Sequence, residues 1–242
     1  MNENKKNVYL KYKSAMALND VYAWIRDSLA IIYPNQPLSM YEYLSQTEQT
    51  EEICKLISAF GTGITDFQIV DIDLETILQR LAPPSQKEVL RRLEEQQAIL
   101  RQSKSVHSIN MAMRSRDNFF IITISRDEDI KCSTIEFTHG KKGALFALNE
   151  ESDGTVRILD LLEILIAGEG KTYVIDELDR CLHPMLSYKF VETFFRLAEK
   201  KNIQLIVTTH ESRLMDFDLL RRDEIWFINK NANGDSDIYS LE

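Results

Sequence analysis

Residues 168–179, GEGKTYVIDELD, contain two short patterns that can take part in phosphate chemistry. Gly170-Lys171-Thr172 matches the end of a phosphate-binding loop, and Asp176-Glu177 closes an apolar run typical of a buried strand. A carboxylate at the end of a strand can hold Mg²⁺, and a second one beside it can act as a general base towards water. In ordinary nucleotide-binding domains the two patterns lie far apart, so one of them is expected to have another role here.

The Gly-Lys-Thr pattern lacks the context of a phosphate loop. The full pattern, G-x-x-x-x-G-K-[ST], follows a strand and opens a helix, so that backbone amides face the phosphates. Its first glycine would be residue 165, which is leucine, and none of the eight glycines starts another complete pattern. We interpret Gly168 as a helix C-cap and Gly170 as a tight turn into the following strand.

The Asp-Glu pattern has two chemically suitable companions. In LIVTTH, His210 ends an apolar run and can hydrogen-bond a phosphate or position water. In ESDGTVR, Ser152 and Gly154 lie where a loop meets a helix N-terminus, an arrangement suited to a phosphate. Alone, each pattern is more often structural: an acidic loop, a helix cap without a ligand, or a packed histidine.

A parallel sheet is the scaffold that brings these segments together. Predicted helices cover residues 16–33, 46–60, 155–167 and 185–200, and predicted strands cover 66–73, 172–176 and 203–210, with a β meander over 118–151 and a closing hairpin around Asn233-Gly234. Buried strands that alternate with helices indicate an α/β fold whose sheet is covered on both faces. Ligands of such sheets bind outside the carboxyl ends of the strands, where residues 176–177 and 208–210 are expected.

Residues 74–117 have a different character, and we interpret them as a helical insertion. The stretch 85–104 opens with a capping-box pattern, Ser85 to Glu88, and carries Leu90, Leu93 and Leu100 at helical spacing. It is expected to project from the body, either as a solvated surface helix or as an arm that meets a partner.

Composition limits the function classes. The net charge of −9 and the pI of about 5.1 argue against a general polyanion-binding surface. The three cysteines (Cys54, Cys132 and Cys181) are widely spaced, which suits a reducing cytoplasm and gives neither a disulfide framework nor a zinc pattern. No apolar segment approaches the roughly 18 residues of a membrane span, so a cytoplasmic protein without a membrane partner is expected.

Together, ESDGTVRILDLL, YVIDELDRCLHP and LIVTTHESRLMDFDLLRRDEIWFI resemble the C-terminal half of an ABC-class ATPase. More specifically, they are similar to AAA-family ATPases related to OLD and SMC proteins of abortive-infection and phage-defence loci. The resemblance is firm over residues 143–242 and softer over 1–142. It implies a partial P-loop NTPase fold, mostly a parallel sheet with flanking helices. Residues 1–73 would be the first part of the ATPase body, 74–117 the insertion, and 118–242 the catalytic half.

The resemblance assigns roles to individual residues. Ser152 and Gly154 match the signature motif, which reaches across a dimer to the partner's γ-phosphate, and Arg157 supports that loop. Gly154 precedes Asp176 by 22 residues (176 − 154), a spacing that fits the family. The implied cofactors are ATP and Mg²⁺, sandwiched in a symmetric head-to-tail dimer.

The remaining roles belong to the segments that follow the two apolar runs. Asp176 matches the magnesium carboxylate of Walker B, and Glu177 matches the general base. Asp179 matches the D-loop, which couples the subunits, and His210 matches the switch histidine. Glu177 and His210 are 33 residues apart (210 − 177), again as in the family.

The sequence also departs from the family. Relatives carry a Walker A loop and a Q-loop near the N-terminus, and neither pattern occurs in these 242 residues. We therefore expect an internal piece, a truncated product or one half of a split ATPase, which hydrolyses ATP poorly or not at all alone. A second chain or segment would supply Walker A, and an effector protein would respond to ATP hydrolysis. The apolar sheet edge left by the missing Walker A strand would promote self-association.

Three functions stay open at this point. The first is an ATPase subdomain that needs a Walker A segment. The second is a non-catalytic interaction module that docks a nucleotide-loaded P-loop partner. The third is a nucleic-acid-associated ATPase of the SMC kind, against which the acidic net charge argues. Phage defence rests on the family analogy alone.

Overall fold

A computed structural model describes residues 16–34, 41–45, 50–102, 107–114, 118–127, 129–140, 143–166 and 169–242. The chain separates into two compact units, one formed by Met1–Gln36 with Ala167–Glu242 and the other by Pro37–Ile166. The helices and strands are, in chain order, α1 (Met16–Asp27), β1 (Leu29–Ile32), α2 (Thr50–Ala59), β2 (Ile64–Asp71), α3 (Leu74–Gln79), α4 (Pro83–Gln102), β3 (Ser108–Arg114), β4 (Phe119–Ser125), β5 (Ile130–His139), β6 (Ala144–Ala147), α5 (Asp153–Ile166), β7 (Thr172–Ile175), α6 (Pro184–Lys201), β8 (Gln204–Val207), β9 (Trp226–Lys230) and β10 (Ser236–Ser240).

The first unit contains a three-stranded parallel sheet in the order β1-β7-β8 and the antiparallel hairpin β9–β10. The predicted strands at residues 172–176 and 203–210 and the closing hairpin are thus confirmed as elements, but β8 ends at Val207, three residues before the predicted end at His210. The predicted helix over 16–33 is wrong in its last part, because α1 ends at Asp27 and β1 begins at Leu29. Leu29 to Ile32 pair in parallel with Thr172 to Ile175, so tertiary pairing outweighs the local helical pattern.

Helix α6 carries the chain from β7 to β8, and its ends follow from its sequence. His183 is the N-cap, whose Nδ1 accepts a hydrogen bond from the amide of Met185 at 3.3 Å, and Pro184 occupies the first turn. Asn202 ends the helix in the left-handed conformation, with φ of 51°. Lys200 and Lys201 in the last turn complement the helix dipole. This crossover makes β7 and β8 parallel neighbours, so their carboxyl ends meet at one edge.

The second unit is built on a five-stranded antiparallel sheet, in the order β2-β5-β4-β3 with β6 also paired to β5. The predicted meander is confirmed by β4, β5 and β6, whereas β3 was not predicted. The chain is a mixed α/β protein: the predicted parallel sheet has three strands in the first unit, and the larger sheet, which contains the predicted meander, is antiparallel. Short connections between β3, β4, β5 and β6 favour hairpin pairing, which needs no crossover helix.

Helix α4 packs on this sheet, which corrects the prediction that residues 85–104 project from the body. Val89, Leu93 and Leu100 are buried, in one core cluster with side chains of β4 such as Phe120 and Ile122. Burial of each such side chain stabilises the fold by about 1.5–3 kcal/mol. The helix begins at Pro83, two residues before the predicted cap Ser85, and Leu90, one of the three leucines at helical spacing, is 43% exposed.

The remaining general expectations concern cysteines and membranes. Cys54 and Cys132 are buried and Cys181 is exposed, and all three are free thiols. Within the residues that the structure describes, no helix has the length and apolar character needed to cross a membrane.

Candidate functional site

The carboxyl ends of β7 and β8 bring the predicted chemical groups of the first unit together. Ile175 pairs with Val207 in the parallel register, and the amide of Thr208 donates to the carbonyl of Ile175 at 2.9 Å. The next residue after β7, Asp176, therefore lies beside the next residue after β8, Thr208. Asp176 is also held from the other side, because its amide donates to the carbonyl of Ile32 at 3.0 Å.

Thr208 connects the two candidate carboxylate residues. Its hydroxyl donates to Oδ1 of Asp176 and accepts a hydrogen bond from the backbone amide of Glu177 at 2.9 Å. Its carbonyl accepts from the amide of Leu178 at 3.0 Å. A single threonine thus orients the Asp176 carboxylate and fixes the backbone of Glu177.

Glu177 has an unusual backbone conformation, with φ of 51°. Non-glycine residues rarely occupy this left-handed region, and such strain is concentrated at functional sites. The side chain lies 3.8 Å from Arg180, a partly exposed ion pair. The left-handed turn at Glu177 ends the extended backbone that leads from β7 through Asp176. The two acidic residues are thus adjacent in sequence but have different backbone conformations.

Asp179 forms a second link to the residues that follow β8. Its Oδ1 accepts from the hydroxyl of Thr209 at 2.6 Å and from the amide of His210 at 3.2 Å. Burial raises the pKa of Asp179, but the hydrogen bonds and the charge of His210 outweigh burial, so that the pKa lies below its usual value. Asp179 is therefore kept as an acceptor that fixes the backbone at His210.

The Gly170-Lys171-Thr172 pattern does not open a helix. Thr172 is the first residue of β7, is buried, and donates its hydroxyl to Gln204 at 3.0 Å. Gly170 turns with φ of 61°, and its amide donates to the carbonyl of Lys201, which agrees with the predicted tight turn. Gly168, predicted as a helix C-cap, lies outside the described residues.

The other three predicted site residues belong to the second unit, at the start of α5. Ser152 is the N-cap: its Oγ accepts from the amide of Thr155 at 3.1 Å, and its carbonyl accepts from the amide of Val156 at 3.0 Å. Ser152 is exposed, and Gly154 lies in the first turn. Arg157, by contrast, is buried on α5 with 7% of its surface exposed.

A buried ionic cluster holds α5 against its unit. The guanidinium of Arg114 lies 3.4 Å from Asp160 on α5 and donates to the hydroxyl of Tyr41 at 2.7 Å. The same guanidinium stacks over the Tyr41 ring at 4.4 Å, and the hydroxyl of Tyr43 donates to the carbonyl of Leu159 at 2.8 Å. Burial raises the pKa of both tyrosines well above the usual value, so they stay neutral.

The structure therefore groups Asp176, Glu177, Asp179 and His210 at one edge, whereas Ser152, Gly154 and Arg157 lie at or near the start of α5 in the other unit. The hydroxyl of Thr208 was missed as a functional group. Thr208 falls inside the predicted strand 203–210, and only the end of β8 at Val207 and its pairing with β7 show that this hydroxyl lies beside Asp176.

The donor set at the β7–β8 edge fits Mg²⁺ bound together with phosphates. Mg²⁺ is usually held by one or two carboxylates and completes its octahedron with water and phosphate oxygens. Asp176 is exposed and oriented by Thr208, and the Glu177 carboxylate follows it. Across the described parts of the chain, no group of three or more histidine, cysteine or acidic side chains could hold a metal.

A comparison with models of protein families gives a match. A protein-family model described as "AAA domain, putative AbiEii toxin, Type IV TA system" matches residues 63–216, more than half of the 242 residues. The matched range includes β2 to β8 and every predicted site residue. A search of curated proteins found no match.

Proposed function

The chain belongs to this AAA-domain family, a membership that indicates nucleotide binding, and from it we propose an ATPase component of the ABC class. In this proposal Mg²⁺-ATP binds at the β7–β8 edge and is hydrolysed between two subunits. The observation that carries the proposal is the Thr208 hydroxyl, which orients Asp176 and fixes the backbone of Glu177 at once. A purely structural strand end has no need for one oriented carboxylate followed by a second acidic residue whose backbone is fixed by the same hydroxyl.

Each residue of the edge has a role in the proposal. Asp176 holds Mg²⁺ through its carboxylate, and the bound ion would neutralise charge on the phosphate oxygens. Glu177 accepts the proton of the attacking water, and its strained backbone sets the direction of its side chain. His210 donates a hydrogen bond towards the terminal phosphate from a backbone that Asp179 fixes.

Ser152 and Gly154 act on the nucleotide of a second subunit. The N-terminus of α5 offers a hydroxyl and a partial positive charge, both of which favour a phosphate. Two contacts anchor the same helix: Arg114 pairs with Asp160, and the hydroxyl of Tyr43 donates to the carbonyl of Leu159. The Ser152 loop therefore starts from a fixed helix. This arrangement supports a symmetric dimer with two composite sites.

The phosphate loop comes from another segment or chain in this proposal. Thr172 belongs to a strand, so residues 168–172 cannot supply a helix N-terminus for phosphates. β8 is the last strand of the parallel sheet in the described residues, and its Ile206 is 58% exposed. An added strand beside β8 would cover this side chain and bring its phosphate loop to the same edge. The biological setting that we propose is an abortive-infection or phage-defence system with a separate effector.

Affinity tests the requirement for an added phosphate loop. Each missing charge-assisted contact weakens binding by about 1.5–3 kcal/mol. Isothermal titration of the chain and of Glu177→Gln with Mg²⁺-ATP should therefore show no micromolar binding. Micromolar binding would mean that a segment such as residues 168–172 replaces the loop.

Thermal unfolding tests the site itself. At a nucleotide concentration about tenfold above Kd, a ligand stabilises the folded state by about 1.4 kcal/mol, or about 3–6 °C in Tm for a chain of this size. Mg²⁺-ATP at about 10 mM, saturating for a millimolar site, should raise the Tm of the wild type, with little effect on Asp176→Asn. An equal rise in both proteins would place the nucleotide elsewhere. No rise in either, together with capture of a nucleotide-loaded P-loop protein, would favour a non-catalytic docking module.

A further inference from the structure

His139 and Glu151 form a close, mostly buried pair directly before the Ser152 loop. Nε2 of His139 lies 2.6 Å from Oε1 of Glu151, and the Glu151 side chain is only 4% exposed. His139 is the last residue of β5, and Glu151 immediately precedes the N-cap Ser152. The pair therefore joins the end of a central strand to the loop that opens α5.

His139 is held by its neighbours in the sheet, while 27% of its side chain stays exposed. Its backbone pairs with Ile64 of β2 and with Ala144 of β6. Its ring meets Phe146 edge to face, with centroids 4.9 Å apart. A Cβ at Gly63 would lie 3.2 Å from Nδ1 of the ring, so this glycine leaves space for the imidazole. The ring thus has a fixed position from which Nε2 points to Glu151.

We propose that the His139–Glu151 pair is a clasp that sets the position of Ser152 and Gly154, and that His139 is a positioning residue of the signature loop; this inference rests on the proposed function. Ser152 has two attachments. Its Oγ and carbonyl cap α5 through Thr155 and Val156, and the clasp holds the residue before it. Consecutive Cα atoms are about 3.8 Å apart, so a shift of Glu151 moves Ser152 directly.

The burial of Glu151 makes the clasp decisive. A carboxylate with 4% exposure requires a hydrogen-bonded partner, and an unpaired one would turn towards solvent. That movement would release the backbone at Ser152. Glu150 does not replace the clasp, because its carboxylate is occupied by the amide of Ala147 at 2.8 Å.

Amide hydrogen exchange on the full chain tests the clasp without any nucleotide. The readout is the exchange of Thr155 and Val156, whose amides donate to Ser152. In His139→Ala this exchange should rise by about tenfold, and in His139→Gln it should return close to the wild-type rate, because the glutamine amide can still donate to Glu151. Cys132→Ala, a buried substitution in a different cluster, is the control for a general loss of stability.

A second variant keeps the test valid if His139→Ala does not fold. Glu151→Ala removes the anchor without leaving a buried charge, and it should raise the exchange of Thr155 and Val156 to the same extent. Unchanged exchange in both variants, or an equal rise in Cys132→Ala at a matched fall in Tm, would overturn the clasp.

The two proposals fail in different ways. If the exchange results hold while Mg²⁺-ATP leaves the wild-type Tm unchanged, the anchoring of the loop stands and the ATPase proposal is wrong. If Mg²⁺-ATP stabilises the wild type but not Asp176→Asn, while the amide exchange of Thr155 and Val156 is unchanged in His139→Ala, the clasp is wrong and the ATPase proposal stands.

Discussion

The hydroxyl of Thr208 donates a hydrogen bond to the carboxylate of Asp176 across the carboxyl ends of two parallel strands. The two residues are 32 positions apart in sequence, separated by the whole of α6. The same hydroxyl accepts the amide hydrogen bond of Glu177. Any movement of β8 relative to β7 would therefore change the direction of both carboxylate residues, which couples the sheet to the candidate site.

Replacement of Thr208 by valine should disorder this edge. Thr208→Val keeps the shape of the side chain but leaves the Glu177 amide without its acceptor and Asp176 without its donor. We expect a loss of about 1 kcal/mol in the free energy of unfolding and loss of the Tm rise with Mg²⁺-ATP. Thr208→Ser, which keeps the hydroxyl, is the matched control. Denaturant unfolding and thermal shifts measure both effects, and identical behaviour of the two variants would contradict this role.

The left-handed backbone of Glu177 should favour glycine over alanine. At φ of 51° a Cβ is strained, whereas glycine adopts this conformation freely. Glu177→Gly is therefore expected to be more stable than Glu177→Ala by about 1 kcal/mol. Equilibrium denaturation of both variants tests this, and a more stable alanine variant would argue against a strained turn. Both variants lack the carboxylate, so neither should support hydrolysis.

Asp179 should contribute to the acid sensitivity of the fold. Because its folded pKa lies below the ordinary value, it stabilises the native state above the unfolded pKa of about 3.9, and that stabilisation is lost as pH falls through the folded pKa. Asp179→Asn should therefore show a shallower loss of stability below about pH 4. Asp237→Asn on the exposed strand β10 is the control and should keep the wild-type slope. Unfolding measured across the acid range decides between the two patterns.

Removal of one member of the buried Arg114–Asp160 pair should lower the free energy of unfolding strongly, whereas replacement of both by apolar residues should lower it much less. Their side chains are 1% and 8% exposed, so Asp160→Ala leaves a buried cation and should cost about 3–5 kcal/mol. The double variant Arg114→Met with Asp160→Leu removes both charges and should recover more than half of that loss. If the double variant is as unstable as the single one, the cluster stabilises mainly through packing around Tyr41.

The strand ends of the site could be predicted from the sequence, whereas part of their surroundings could not. The apolar runs that lead to Asp176-Glu177 and to Thr208-Thr209-His210 predict both strands, and the rule for parallel sheets then places their carboxyl ends together. Strand β1 was missed because Leu29 to Ile32 continue an apolar helical pattern and become a strand only through pairing with β7. Helix α4 was expected to project from the body although Leu93 and Leu100 were recognised at helical spacing, because its many charges are typical of a solvated helix and Val89 was overlooked.

The connections between side chains were the least predictable part. His139 is a single histidine before a glycine, and nothing in the local sequence indicates that it meets Glu151. That contact depends on the register of β5 with β2 and β6, which fixes where the strand ends. The roles of Ser152, Gly154, Arg157, Asp176, Glu177, Asp179 and His210 stay predictions.

Paramagnetic broadening with Mn²⁺-ATP is the most direct test of the central claim, that the metal and nucleotide bind at the β7–β8 edge. Mn²⁺ replaces Mg²⁺ at oxygen sites and broadens nearby amide signals even when binding is weak. In the isotope-labelled chain, we predict selective broadening of Asp176–Asp179 and Thr208–His210 that disappears in Asp176→Asn. Broadening that is spread over other acidic surfaces, or that is unchanged in Asp176→Asn, would contradict the account.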